Sequence, residues 1–141
     1  MKLKEIMTQD VEVIHPDDSL QTAAQKMRDR DIGFLPVCDG DRLIGVVSDR
    51  DMIVRVIAEG RDPAAMMGRS LVTTPVIYCF EDQDVDEAAR IMQENQIRRL
   101  VILNRDKRLV GVVSLGDLAM NRPPDQSGEV LQSVSEPDGT R

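Results

Sequence analysis

Aromatic side chains are scarce in this chain. Its 141 residues include no Trp, one Tyr and two Phe, too few for a platform on which successive bases stack. Histidine occurs once, at His15, and the two cysteines, Cys38 and Cys79, form no CxxC pair. A zinc site of His and Cys therefore lacks its ligands, and no metal is expected. Positive charge is short as well: 18 Lys and Arg stand against 25 Asp and Glu, a formal net charge of -7. That speaks against nucleic acid, which needs clustered cations, and against an anionic membrane surface.

No apolar run approaches the roughly 18 residues that span a bilayer. Residues 1–5 include Glu5 and no apolar stretch, so no signal peptide is expected. Two cysteines without a motif read as buried thiols at strand ends in a reducing compartment, and the expected location is cytoplasmic. There is no GxxxxGK phosphate loop, no zinc motif and no nucleophile–base constellation for the lone His15 to join. An enzyme is not expected.

What the chain does have is internal repetition, a primary sign of architecture. Displaced by 65 residues, Thr8 falls on Thr73, Asp17 on Asp82, Met27 on Met92, Ile32 on Ile97 and Leu35 on Leu100. One inserted residue near Lys107 restores the match, and Arg42-Leu43-Ile44-Gly45-Val46-Val47-Ser48 falls on Arg108-Leu109-Val110-Gly111-Val112-Val113-Ser114. An insertion placed in a polar turn is what a duplicated fold tolerates.

Each copy predicts the order strand, helix, strand, strand, helix, a mixed α/β repeat in the α+β class. The first strands are expected at 11–14 and 76–80. Ser19 and Asp84 are good N-caps, and Asp84 with Glu87 has capping-box spacing. Leu20, Ala23, Ala24 and Met27, like Val85, Ala88, Ala89 and Met92, recur at helical spacing, and the helices should stop near Asp31 and Gln96. Two apolar runs on either side of a polar turn predict a hairpin in each copy. A last helix is expected to begin at Ser48 and at Ser114. Boundaries are expected at 1–60 for the first repeat, 61–67 for a linker, 68–121 for the second repeat and 122–141 for a mobile tail. One helical turn within 64–68 is expected to match the turn at 3–7, and Val130, Leu131 and Val134 could form one apolar face in the tail.

The pattern resembles the CBS domain, and the pair resembles a Bateman module. Met7-Thr8, Ile32-Gly33-Phe34-Leu35-Pro36-Val37 and Gly45-Val46-Val47-Ser48-Asp49-Arg50-Asp51 carry the likeness, which extends over about residues 3–121. The chain is similar to stand-alone bacterial proteins of two CBS repeats, a group that includes hypoxic-response proteins. The resemblance implies two β-α-β-β-α repeats related by pseudo-twofold symmetry, with clefts between them, and a homodimer. It further implies a regulatory ligand containing adenosine: AMP, ADP, ATP, S-adenosylmethionine or an NAD-type molecule. No other cofactor is called for, and the effector protein is unknown.

The family's binding motif, Gly-h-x-Ser/Thr-x-x-Asp, is matched by Gly45 to Asp51 and by Gly111 to Asp117. A helix beginning at Ser48 or Ser114 offers unpaired backbone N–H groups to a phosphate. A carboxylate one turn along, Asp51 or Asp117, can accept both hydroxyls of a ribose. The same spacing is that of a capping box, in which Asp51 does no more than steady its helix by about 1 kcal/mol. Both readings stay open, and a nucleotide-independent interaction or stress-response protein is the alternative function. Phe34 and Pro36 lie on the strand expected to face an adenine. Arg50, Arg98 and Arg99 are candidates to neutralise phosphate, and Thr8 and Thr73 lie where the family contacts its ligand. Asp49 beside Ser48 opposes multiple phosphates, which favours AMP in the first copy, whereas the second could better take ATP. His15 has no assigned role, and the methionines at core spacing are read as packing.

Overall fold

A computed structural model describes residues 1–121. The chain divides into two compact units. One is Glu12–Val76, and the other joins Met1–Val11 to the chain from Ile77 onward. Each copy thus keeps its helix, hairpin and closing helix in one unit, while the segment leading into it belongs to the other. Residues 122–141, with Val130, Leu131, Val134 and the expected mobile tail, lie outside the described residues.

In the unit Glu12–Val76, α1 (Leu20–Arg30) starts where Ser19 Oγ accepts the Thr22 N–H at 3.0 Å. It ends where Asp31 turns left-handed at φ 54, a conformation that short polar side chains tolerate best after glycine. Strands β1 (Phe34–Asp39) and β2 (Arg42–Ser48) form the expected antiparallel hairpin, turning through Gly40 at φ 66. Next comes α2 (Asp49–Met52), which widens into a π-helical turn over Ile53–Ile57. Ile14, Leu20, Ala23, Leu35, Val37, Val47, Val56 and Leu71 make the core. Leu71 reaches it from beyond the first copy, and complete burial of such a side chain contributes about 1.5–3 kcal/mol.

The other unit has the same parts. Strand β3 (Tyr78–Phe80) runs parallel to β4 (Arg99–Leu103), which pairs antiparallel with β5 (Leu109–Ser114). Helices α3 (Val85–Asn95) and α4 (Leu115–Met120) complete it. Its core gathers Leu3, Cys79, Ala88, Met92, Leu100, Ile102, Val113 and Leu118, and here Leu3 is the residue supplied by the leading segment. Both units mix helix and sheet, the α+β class expected. Met27 and Met92 pack in the cores, and both cysteines are buried free thiols.

Three local expectations are corrected. The first copy has no strand at 11–14. Its place is held by a single parallel bridge from Ile14 to Val37, with Ile14 N–H donating to Pro36 O and Cys38 N–H to Ile14 O. Pro36 and Pro16 have no N–H with which to continue the ladder in either direction. The second copy has Val101 and Glu81 at those positions, and Glu81 N–H donates to Leu103 O at 2.9 Å. Glu87 is not the partner in a capping box at α3: Asp84 accepts from Asp86 N–H, and Glu87 Oε2 accepts from Gln83 Nε2 at 2.7 Å. Finally, the match of the 3₁₀ turn Leu3–Glu5 is Gly68–Ser70, not the turn Pro63–Ala65.

Candidate functional site

Each unit brings a serine, an aspartate and a threonine to the last residues of its hairpin. In the first, β2 ends at Ser48 and α2 starts at Asp49, so Ser48 is the N-cap. Ser48 Oγ accepts the Asp51 N–H at 3.1 Å and donates to Asp51 Oδ2 at 2.9 Å, while the Ser48 N–H reaches the same carboxylate oxygen at 3.4 Å. Thr73 arrives from the segment before the second copy, pairs antiparallel with Val46 at the β2 edge and donates through Oγ1 to Asp51 Oδ2 at 3.5 Å. Arg55, one turn further along, sits 3.9 Å from Asp51 Oδ1 and donates to Leu71 O at 3.2 Å. It ties the helix to the strand-edge segment.

The other unit repeats this with fewer partners. Ser114 caps α4, its N–H donating to Asp117 Oδ2 at 2.9 Å and its Oγ accepting the Asp117 N–H at 3.1 Å. Thr8, from the leading segment, pairs with Val112 through two backbone hydrogen bonds of 2.9 and 3.0 Å. In place of Arg55 stands Asn121, whose Nδ2 donates to the Asp117 backbone carbonyl at 2.7 Å. All four aspartate and serine positions therefore form complete capping boxes, so the cap geometry is real in both copies. Ser48, Asp51, Ser114 and Asp117 remain half-exposed, and Thr8 and Thr73 are exposed.

The motif glycines have a steric reason. A Cβ on Gly45 would lie 2.7 Å from Val72 Cβ and 3.3 Å from Thr73 O, and one on Gly111 would meet Met7 Sδ at 2.6 Å and Thr8 O at 3.0 Å. Glycine is what lets the threonine segment lie against the hairpin.

The other candidates fall around these clusters. Phe34 is the register partner of Ser48, and Arg99 is the register partner of Ser114. Pro36 and Val101 occupy equivalent buried positions. Arg50, Arg98 and Arg99 are exposed. His15 Nδ1 accepts the Asp17 N–H at 3.1 Å and lies near no residue of either cluster that the hydrogen bonds record. The sequence reading missed which cluster each threonine joins, and it missed Arg55. The four-residue spacing from Asp51 to Arg55 was the available signal for the latter. Among the described residues, no three or more His, Cys, Asp or Glu side chains gather as a metal site.

The profile of the CBS domain matches twice, over residues 3–58 and 69–122. The chain belongs to the CBS domain family. Among relatives, Hypoxic response protein 1 of Mycobacterium tuberculosis is 33% identical over 135 residues, 95% of this chain and 94% of that protein. Among solved structures, the crystal structure of Hypoxic Response Protein I with two coordinated zinc ions has a TM-score of 0.80 at 35% identity, covering 87% of this CBS pair and all of that chain. The crystal structure of CBSX2 in complex with AMP has a TM-score of 0.74 at 25% identity and covers 85% and 94%. Inosine-5'-monophosphate dehydrogenase of Thermoplasma acidophilum is 32% identical over 123 residues, only 24% of its own length. Segments similar to this CBS pair thus make up nearly all of one relative and about a quarter of another.

Proposed function

We propose that this CBS pair is a cytoplasmic sensor of an adenosine-containing ligand, held at Ser48, Asp51 and Thr73 in one unit and at Ser114, Asp117 and Thr8 in the other. One arrangement carries the proposal: at the end of the first hairpin a carboxylate and two hydroxyl side chains from distant stretches of chain converge, and at the end of the second a serine–aspartate pair lies beside the backbone-paired Thr8 segment. The carboxylate would accept the ribose hydroxyls, and the serine and threonine would hold the phosphate or the ring edge. The CBSX2 complex with AMP is a relative of the same fold with such a ligand. Binding would shift the population of conformations that an effector protein reads. Ile53, Val54 and Ile57, exposed on the continuation of α2, support self-association as a homodimer, which light scattering on the purified protein checks.

The test is thermal unfolding with AMP, ATP or S-adenosylmethionine. A ligand at about a hundred times its Kd adds about 2.7 kcal/mol, roughly 5–10 °C for a chain of this size. The double variant Asp51→Ala/Asp117→Ala should lose that rise. A second reading has its own support, because the capping boxes satisfy Ser48, Asp51, Ser114 and Asp117 without any ligand. No shift with any of the three at millimolar concentration would favour a nucleotide-independent interaction protein.

A further inference from the structure

The two threonine segments are fastened differently. Thr8 exchanges two backbone hydrogen bonds with Val112, of 2.9 and 3.0 Å, whereas Thr73 has one with Val46, its N–H donating to Val46 O at 3.0 Å. The first copy adds a tether from a side chain. Arg55 Nη1 donates at 3.2 Å to the carbonyl of Leu71, two residues before Thr73. At the matching position of the second copy, Asn121 turns back on its own helix and donates to Asp117 O at 2.7 Å.

The same arginine nitrogen faces the carboxylate. Asp51 Oδ2 accepts from Ser48 Oγ at 2.9 Å, from Ser48 N–H at 3.4 Å and from Thr73 Oγ1 at 3.5 Å. A carboxylate oxygen has about two lone pairs, so Oδ2 is fully used. Among the described residues Oδ1 accepts no hydrogen bond. Arg55 Nη1 stands 3.9 Å from it, too far for a hydrogen bond and near enough to attract it. The guanidinium thus steadies the carboxylate and leaves Oδ1 open.

We propose that Arg55 is the positioning residue of the Ser48 cluster: by bridging Leu71 O and Asp51 it holds Thr73 beside the carboxylate and keeps Oδ1 presented to a ribose hydroxyl. This rests on the nucleotide reading above and gives that site a member from outside the Gly45–Asp51 motif. The Ser114 cluster keeps its threonine segment by backbone pairing and needs no such side chain. Because one nitrogen makes both contacts in the first copy, a lysine ammonium can stand in for it, and alanine cannot.

Two measurements test the assignment. Arg55 is exposed, and Ala and Lys are both good helix formers, so the variants spare the core; ligand-free melting checks that each is folded. Amide exchange at Thr73, followed by NMR, should quicken about tenfold in Arg55→Ala. It should return towards the unaltered rate in Arg55→Lys and stay unchanged at Thr8 in both. Titration calorimetry with AMP, ATP and S-adenosylmethionine then reads the Ser48 cluster alone in an Asp117→Ala protein. Adding Arg55→Ala should weaken binding there by about tenfold, and Arg55→Lys in its place should restore most of the loss. In an Asp51→Ala protein, which keeps the Ser114 cluster, Arg55→Ala should leave affinity unchanged. Thr73 exchange or Ser48-cluster affinity indifferent to Arg55, a lysine that rescues neither, or equal losses at the two clusters would overturn the assignment and leave the nucleotide reading standing. An Asp117→Ala protein with no binding left would overturn the assignment and confine that reading to the Ser114 cluster. Failure of all three ligands to bind the unaltered protein would overturn both.

Discussion

At the scale of single residues, burial and charge make separate claims. Cys38 and Cys79 are both buried, and desolvation pushes both thiols from 9.0 up to about 11. A thiol whose folded value exceeds its unfolded one contributes stability in full below pH 9 and loses it as pH rises from 9 to 11. It is also a poor nucleophile near neutrality. Dithionitrobenzoate at about pH 8 should therefore react with neither thiol in the native protein and promptly with both in guanidinium. Carboxylates act at the other end of the scale. The hydrogen bonds from Arg69 to Asp17 and from Arg105 to Asp82 hold both carboxyls below 3.8. Their contribution is present above that value and drains as pH falls through the lower folded one. The urea midpoint should drop on acidification below about pH 4, and Arg105→Ala should make that drop smaller; the pair is exposed, so the change is modest.

At the scale of elements, the threonine segments depend on two glycines. Gly45→Ala would press on Val72 Cβ, an atom close to the backbone with little freedom to move. Gly111→Ala presses first on the flexible Met7 side chain. Gly45→Ala should cost about 1–3 kcal/mol by overpacking and weaken ligand binding at the Ser48 cluster; Gly111→Ala should cost less, as urea titration would measure. Helices, hairpins and caps were legible because periodicity, turn residues and N-cap chemistry are local. So was the serine–aspartate pair, whose spacing fixes its geometry whatever surrounds it. The strand expected at 11–14 fails for a reason the sequence does carry: Pro36 is an absent donor in the neighbouring strand. The destination of Thr8 and Thr73 was not legible. Self-similarity reveals that two stretches are equivalent, but which sheet edge a stretch joins depends on contacts far away in sequence.

At the scale of the whole molecule, the contiguous repeats and the folded units do not coincide. A fragment of residues 12–76 keeps Ile14, Val56, Leu71 and Thr73 together, whereas one of residues 1–60 omits Leu71 and Thr73 and carries Leu3 without its core. Losing a buried leucine costs about 2–5 kcal/mol, a large fraction of what so small a unit possesses. Circular dichroism with urea should find 12–76 the more stable fragment. The crossing also orders events during translation. The unit Glu12–Val76 has all its residues once Val76 has been made, but Thr8 must wait for Val112, about a hundred residues later, a closure entropically dearer than any within the first unit. At about 5–20 residues per second the amino-terminal stretch waits several seconds unpaired at the ribosome. In that interval it is open to nascent-chain chaperones and to the finished sheet of a neighbouring molecule.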